Sequence, residues 1–459
     1  MIFMSRKNIL WLYGTLFIFS LFLRLAVAGF ANCGEIKTVR PDTDGYLAPA
    51  RSLVERGGYE STRRPPGFPI LAAAVFKSGG EERALSYTLA VLSALTVLAV
   101  ARAGFLYGGH KIAVTAGILY ALNPTVLGNA PLLLTDTLAG LFVAFQYWFF
   151  LEFYRKKKSW GFFGCAFTAG IGVLIRPINS LFILPLLFLL CFMPEISWKK
   201  KFAFAASGAL LFFAPFFPWM LRNAAQGAGL CVDTNTGAMY HQNGAMLLGE
   251  VTGRGYEFEK QRILAEQEAL FKDKVGFPDE KSREVYRIGK YKELVKKHWF
   301  VWLKQQMNYQ ILLPDLPSLL ECLGVTSSDR GTMAILKEQG IMAAVRHYFG
   351  ANWFFIMLLL LPLTGIALLT YLGSGIYLLH ALRYWKKYYM EIFIFGAFVS
   401  YYLFLPGAIT APRYQIPALP CLTVNCALVL IALIDRTRNG KQNGETSADN
   451  EVQKAGSGA

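Results

Sequence analysis

Apolar runs of near-membrane length fill most of this chain, with polar breaks between them. A helix that crosses a bilayer needs about 20 apolar residues. Windows at 8–29, 85–101, 112–128, 131–152, 160–175, 178–194, 202–221, 353–382, 389–407 and 414–435 have that character. Pro124, Arg176 and Pro177 interrupt the stretches 112–128 and 160–194. The pattern predicts an all-α polytopic membrane protein with about ten spans.

Two long polar segments separate these runs, residues 30–84 and 222–352. In the first, Tyr46, Leu47, Ala50, Leu53 and Val54 recur at helical spacing and stop at Gly57-Gly58, which predicts a short helix lying along the membrane surface. Asp42 or Asp44 is placed to cap it, and Pro49 fits only if the helix starts late. In the second segment, amphipathic helices are expected over Glu257–Phe271 and Lys281–Leu313. The latter ends in Trp299, Phe300, Trp302, Leu303 and Tyr309, an aromatic run suited to a membrane interface. The chain thus divides into an N-terminal membrane module (1–221), an outer loop region (222–352), C-terminal spans (353–436) and a polar tail (437–459) expected to be disordered.

Composition narrows the class. Hydrophobic residues make up 54% and charged residues 17% of the chain, and the mean hydropathy is +0.37, more apolar surface than a soluble core buries. The formal charge of +16 invites a nucleic-acid reading. Its placement argues otherwise: Arg6-Lys7, Arg155 to Lys158, Lys199 to Lys201, Arg383 with Lys386-Lys387, and Arg436 with Arg438 all sit at span ends. Basic residues favour the cytoplasmic side, so both termini are expected inside and the segments 30–84 and 222–352 outside. The first apolar run lacks a small-residue cleavage site and reads as a permanent anchor. The seven cysteines form no CxxC pair, so no Cys-based zinc site is indicated. Cys33, Cys231 and Cys322 fall on the outer side, where one disulfide in any of three pairings is compatible with the sequence.

The candidate chemistry collects at the outer ends of the spans. Asp42 and Asp44 stand two residues apart, followed by Tyr46 and by Arg63-Arg64-Pro65-Pro66-Gly67-Phe68. Of these two neighbouring acids, one is expected to meet a given substrate. Arg24, Arg64, Arg176, Arg222 and Arg413 run against the inward preference of basic residues. Ionisable groups at membrane depth are costly and point to function, and the guanidinium fork suits phosphate. Asp136, at the start of the fourth run, is either a helix cap or a partner for one of these arginines.

With these residues laid out, the chain resembles the GT-C membrane glycosyltransferases, the group that includes protein O-mannosyltransferases and aminoarabinose transferases. In that group an Asp followed four residues later by Tyr opens the first outer loop, as Asp42 and Tyr46 do here. A basic residue before Pro-Pro meets the donor phosphate there, the place of Arg64. This chain departs in having Phe68 for a tyrosine and Arg63 for an acid. Weaker echoes are Asn123-Pro124, Thr135-Asp136, Arg176-Pro177, Pro218-Trp219 with Arg222-Asn223, and Arg413-Tyr414 with Pro417 and Pro420.

The resemblance implies a GT-C helical bundle in a bacterial inner membrane, its site facing outward. It implies transfer of a sugar from a polyprenyl-phosphate carrier to a hydroxyl of a lipid, glycan or protein. Asp42, with Asp44 beside it, takes the catalytic place. Arg64, Arg176, Arg222 and Arg413 take the donor phosphate, and Tyr46, Arg63, Asp136 and Tyr414 complete the substrate site. No nucleotide loop is evident and no nucleic-acid partner is expected. The scheme needs no cofactor, although Asp42 and Asp44 offer two oxygens to a divalent metal. The alternative class is a transporter or flippase for a lipid-linked or anionic solute. Transporters favour internal repeats and midplane charges, whereas these charges gather near one face and no repeat is evident.

Overall fold

The computed structural model describes residues 6–235, 237–325, 335 and 339–456. All regular structure among them is helical. Helix α1 (Arg6–Ala31) enters the first polar segment, which carries α2 (Asp44–Arg56) and α3 (Gly67–Lys77) before α4 (Glu82–Gly108) returns. Then come α5 (His110–Ala121), α6 (Pro124–Asn129), α7 (Asp136–Lys156), α8 (Ser159–Ile175), α9 (Ile183–Cys191), α10 (Trp198–Phe213) and α11 (Phe217–Ala225).

Among the described residues five stretches are long and apolar enough to cross a bilayer: Asn8–Ala31, Glu82–Gly108, Asp136–Lys156, Trp353–Arg383 and Pro412–Thr437. The pair α10 and α11, bent by 48°, makes a sixth candidate. Shorter apolar helices occupy other expected positions, at Ser159–Ile175 and Pro177–Cys191.

Proline sets most of the breaks, because it lacks an N–H and clashes with the preceding turn. The expected run 112–128 divides at Pro124, where Asn123 caps the new helix by accepting from the Thr125 (3.0 Å) and Val126 (3.4 Å) amides. Pro215 and Pro218 mark the bend between α10 and α11. The expected span 131–152 starts only at Asp136. Residues before it are held as a loop, with the Leu133 amide donating to the Thr38 carbonyl at 3.0 Å.

The expected short helix is α2, and it stops as expected at Gly57, at φ 69°. Its start differs from expectation. Thr43, not an aspartate, occupies the N-cap, and Pro49 is accepted inside the helix. The Thr43 hydroxyl is engaged elsewhere, accepting from the Arg40 amide and donating to the Leu133 carbonyl at 3.2 Å.

In the second polar segment the helix Tyr256–Leu270 matches expectation. The next breaks into Glu280–Lys297, Trp299–Gln306 and a 3₁₀ turn at Tyr309–Leu312. Residues 326–334 and 336–338 of that segment lie outside the described residues. The last helix, Leu419–Gly456, carries on into the tail expected to be disordered, whose sequence contains no proline to stop it. Residues 457–459 lie outside the description. Among the described residues no cysteine is in a disulfide. Cys322 is buried and its thiol points to the Gly128 carbonyl at 3.5 Å.

Arg24 belongs to the fold and not to a site. It is fully enclosed and donates to Ser20 Oγ (2.7 Å) and Ser93 Oγ (2.8 Å), joining α1 to α4.

Candidate active site

Four arginines line one cavity, Arg63, Arg64, Arg176 and Arg413, and the last three each adjoin a proline. Helix α8 ends at Ile175, and Arg176, preceding Pro177, is extended at φ −140°, ψ 121°. A residue before proline is pushed out of the α region, so Arg176 leaves the helix where it faces the cavity. Ala411 is extended in the same way before Pro412 (φ −134°, ψ 152°), and Arg413 follows in the 3₁₀ turn Pro412–Ala418. Arg64 precedes Pro65-Pro66, after which α3 begins at Gly67.

Close packing brings these breaks together. A Cβ on Gly67 would lie 2.7 Å from the Leu174 carbonyl of α8, and one on Gly140 would lie 2.7 Å from Ile416. Glycine at both positions lets α3 and the Arg413 turn approach the bundle. The Thr38–Leu133 and Thr43–Leu133 hydrogen bonds fasten the Asp42 loop to the start of α7.

The cavity they enclose measures about 500 Å³. Asp42, Tyr46, Arg63, Arg64, Asp136 and Arg176 line it, joined by Arg413 and Tyr414. Arg64 Nη2 donates to Asp42 Oδ1 at 3.2 Å and Nη1 to the Tyr46 hydroxyl at 3.3 Å. Its guanidinium also lies over the Tyr46 ring, 4.6 Å from the centroid. Arg413 bridges two carboxylates, with Nη2 3.7 Å from Asp42 Oδ2 and Nε 3.6 Å from Asp136 Oδ2. Arg176 pairs closely with Asp136 Oδ1, and both it and Arg413 rest on the Tyr414 ring, at 4.7 and 5.4 Å. Burial raises the Tyr46 hydroxyl above its usual pKa, opposed by Arg64 and Arg176, so it remains a hydrogen-bond donor.

The two acids are thus unlike. Asp136 is only 3% exposed and sits in the first turn of α7, where the helix dipole favours an anion. Asp42 is half-exposed at 51% of its side chain and faces the open cavity. Asp44, by contrast, is the exposed first residue of α2 and is not part of the lining.

Arg222 also departs from expectation. It lies within α11, without an adjoining proline, and does not line the cavity. Its guanidinium donates to the Ser61 carbonyl at 2.9 Å and closely to the Tyr59 carbonyl. The Tyr59 hydroxyl in turn donates to the Arg64 carbonyl at 2.9 Å. Arg222 therefore braces the loop that presents Arg64. Arg63 lines the cavity with no carboxylate partner among the described residues.

A further wall went unseen in the sequence: Asp233, Asn235, Gln242 and Asn243 of the second polar segment line the same cavity. The Thr234 amide donates to the Thr62 carbonyl at 3.0 Å, tying this wall to the arginine loop. The polar run Asp233-Thr234-Asn235 was its only sign in the sequence. Among the described residues no three His, Cys, Asp or Glu side chains converge as a metal site would need.

Comparison with known proteins agrees with this architecture. Residues 63–221 match the family model of dolichyl-phosphate-mannose-protein mannosyltransferases. That match takes in Arg64, Asp136 and Arg176, and ends one residue before Arg222. The archaeal oligosaccharyltransferase AglB from Archaeoglobus fulgidus, solved with an inhibitory peptide and a dolichol-phosphate, superposes with a TM-score of 0.50 at 13% identity. The alignment covers 96% of this chain and 52% of AglB, so the chain spans about half that protein's length. No curated protein sequence matches. The chain is a polytopic membrane protein with a GT-C-type helical fold.

Proposed function

We propose that the protein transfers a sugar from a polyprenyl-phosphate carrier to an acceptor hydroxyl at the outer face of a bacterial inner membrane. Asp42 accepts the hydroxyl proton as the acceptor oxygen attacks the anomeric carbon. The bond from that carbon to the carrier phosphate breaks, and its electron pair leaves with the phosphate. Asp136 and Asp233 also line the cavity but are buried, and Asp136 is held by Arg176 and Arg413, so Asp42 acts alone as base in a single displacement with inversion. Arg64, Arg176 and Arg413 meet the charge on the departing phosphate, a preorganised stabilisation of the kind that dominates many active sites. The scheme needs no metal, because guanidiniums supply that charge.

One observation carries the reading: Arg64 and Arg413 lie against opposite oxygens of Asp42. The carboxylate thus sits where anionic oxygens are favoured. A donor phosphate entering the cavity competes for both guanidiniums and releases Asp42 to act as base. The polar wall of Asp233, Asn235, Gln242 and Asn243 suits hydroxyl-rich groups, either of the donor sugar or of the acceptor.

The test is incubation of the purified protein with a panel of polyprenyl-phosphate sugars, following release of carrier phosphate. Release is expected with at least one donor, and Arg64→Ala is expected to lower it by about 10²–10³-fold, as loss of one donor at a developing oxyanion does elsewhere. Release that is indifferent to Arg64 across the panel counts against the phosphate role.

A further inference from the structure

Helix α7 has a charged site at each end. Its 21 residues, Asp136–Lys156, span about 30 Å at 1.5 Å per residue, the thickness of a bilayer's hydrocarbon core. Asp136 marks the transfer cavity, so Arg155 lies at the opposite membrane face. A second cavity, of about 570 Å³, opens there among the ends of α7, α10 and the helix Trp385–Phe395.

Four cations line this cavity, Arg155, Lys157, Lys200 and Lys387, against the single acid Glu195. Two of them are engaged, Arg155 with Glu391 at 3.0 Å and Lys157 with Glu195 at 2.7 Å. Lys200 and Lys387 have no carboxylate partner among the described residues. Positive charge at an inner span end needs no explanation beyond topology, but these charges do more than flank a span. They converge over an apolar floor that includes Phe153, Met193 and Phe204.

The backbone adds a second indication. Lys157 is the one non-glycine residue at positive φ (56°) among those described. It terminates α7 in the left-handed conformation that helix ends normally give to glycine or asparagine. A lysine is kept where glycine would fit the backbone better, and its ammonium stands at the cavity rim.

A concave cluster of cations above an apolar floor matches a phosphate joined to a hydrophobic body, and basic pockets between membrane helices hold such headgroups. We propose that this cavity binds a phosphate group, supplied by the headgroup of an anionic phospholipid in the leaflet opposite the transfer site or by free phosphate. Lys200 and Lys387 contact the phosphate, Arg155 and Lys157 shape the rim, and the floor takes the start of an acyl chain. The inference is independent of the transfer reaction, since no residue of one cavity lines the other.

Native mass spectrometry of the full chain in detergent, titrated with phosphatidylglycerol or phosphatidylcholine, tests it. Both lysines are exposed, so Lys200→Ala/Lys387→Ala leaves the fold intact. The wild type is expected to retain phosphatidylglycerol over phosphatidylcholine, and the double variant to retain it about 30-fold less, the combined contribution of two basic residues near a lipid phosphate. Arg64→Ala, at the transfer cavity, is expected to keep this retention. Inorganic phosphate distinguishes the sources. Failure to displace the lipid assigns the site to the headgroup, and displacement at millimolar concentration assigns it to free phosphate. Equal retention of the two lipids, or retention untouched by the double substitution, overturns the proposal.

Discussion

Asp42→Asn is expected to lower sugar transfer by about 10²–10⁴-fold, the usual contribution of a general base, while leaving the melting temperature in detergent unchanged. The two halves of this expectation have different causes. Asp42 is half-exposed, and its contacts to Arg64 and Arg413 are 3.2 and 3.7 Å long. Solvent-accessible ion pairs of this kind contribute about 0–1 kcal/mol, so the fold does not depend on them. Asparagine keeps the size of the side chain and removes only its charge and basicity. Transfer measured alongside thermal unfolding separates the two. A stable variant with full activity would remove Asp42 as the base.

Asp136 is expected to behave in the opposite way. It is 3% exposed, paired closely with Arg176, and reached by Arg413 at 3.6 Å. Asp136→Ala strips both cations of their buried partner, and breaking such a pair costs about 3–5 kcal/mol. That is a large share of a typical folding free energy of roughly 5–15 kcal/mol. The variant should therefore melt far below the wild type or fail to accumulate in the membrane. Replacing a whole buried pair with apolar residues is often close to neutral, so Asp136→Leu/Arg176→Met should regain most of the lost stability. It should remain inactive, because Arg176 no longer meets the phosphate. An Asp136→Ala protein that melts like the wild type would show that the pair is not structural.

The difference between these acids was only partly legible in the sequence. The unbroken apolar runs around α1, α4, α7 and Trp353–Arg383 announced themselves by length alone. So did the stop of α2 at Gly57-Gly58, since glycine readily adopts the left-handed end of a helix. The interruption that Pro124 marks in the run 112–128 is where the structure divides it, with Asn123 capping the new helix.

Three of the four arginines that line the cavity adjoin a proline, and Arg63 reaches it without one. Arg176 ends α8 before Pro177, Arg64 stands in the loop before Pro65, and Arg413 follows Pro412 in a 3₁₀ turn. Arg222 sits inside a helix, and only the folded chain shows its donors taken up by the Tyr59 and Ser61 carbonyls. Asp44 was credited with a role by its nearness to Asp42. The start of α2 turns it away from the cavity, and no periodicity in so short a loop reveals that turn. Asp233, Asn235, Gln242 and Asn243 lie in a segment with no hydrophobic rhythm before the helices that follow it. Their arrival at the cavity depends on contacts such as Thr234 to Thr62, which join residues far apart in sequence.

Binding of a sugar-free polyprenyl phosphate to the wild type, Arg64→Ala, Arg413→Ala and Asp42→Asn, by titration in detergent, examines the shared phosphate berth most directly. Loss of either arginine is expected to weaken binding about tenfold or more, the effect of removing a charged hydrogen bond. Asp42→Asn is expected to bind the carrier at least as tightly as the wild type, because its carboxylate no longer competes for the same two guanidiniums. Weaker binding by Asp42→Asn, matching that of the arginine variants, would contradict the account.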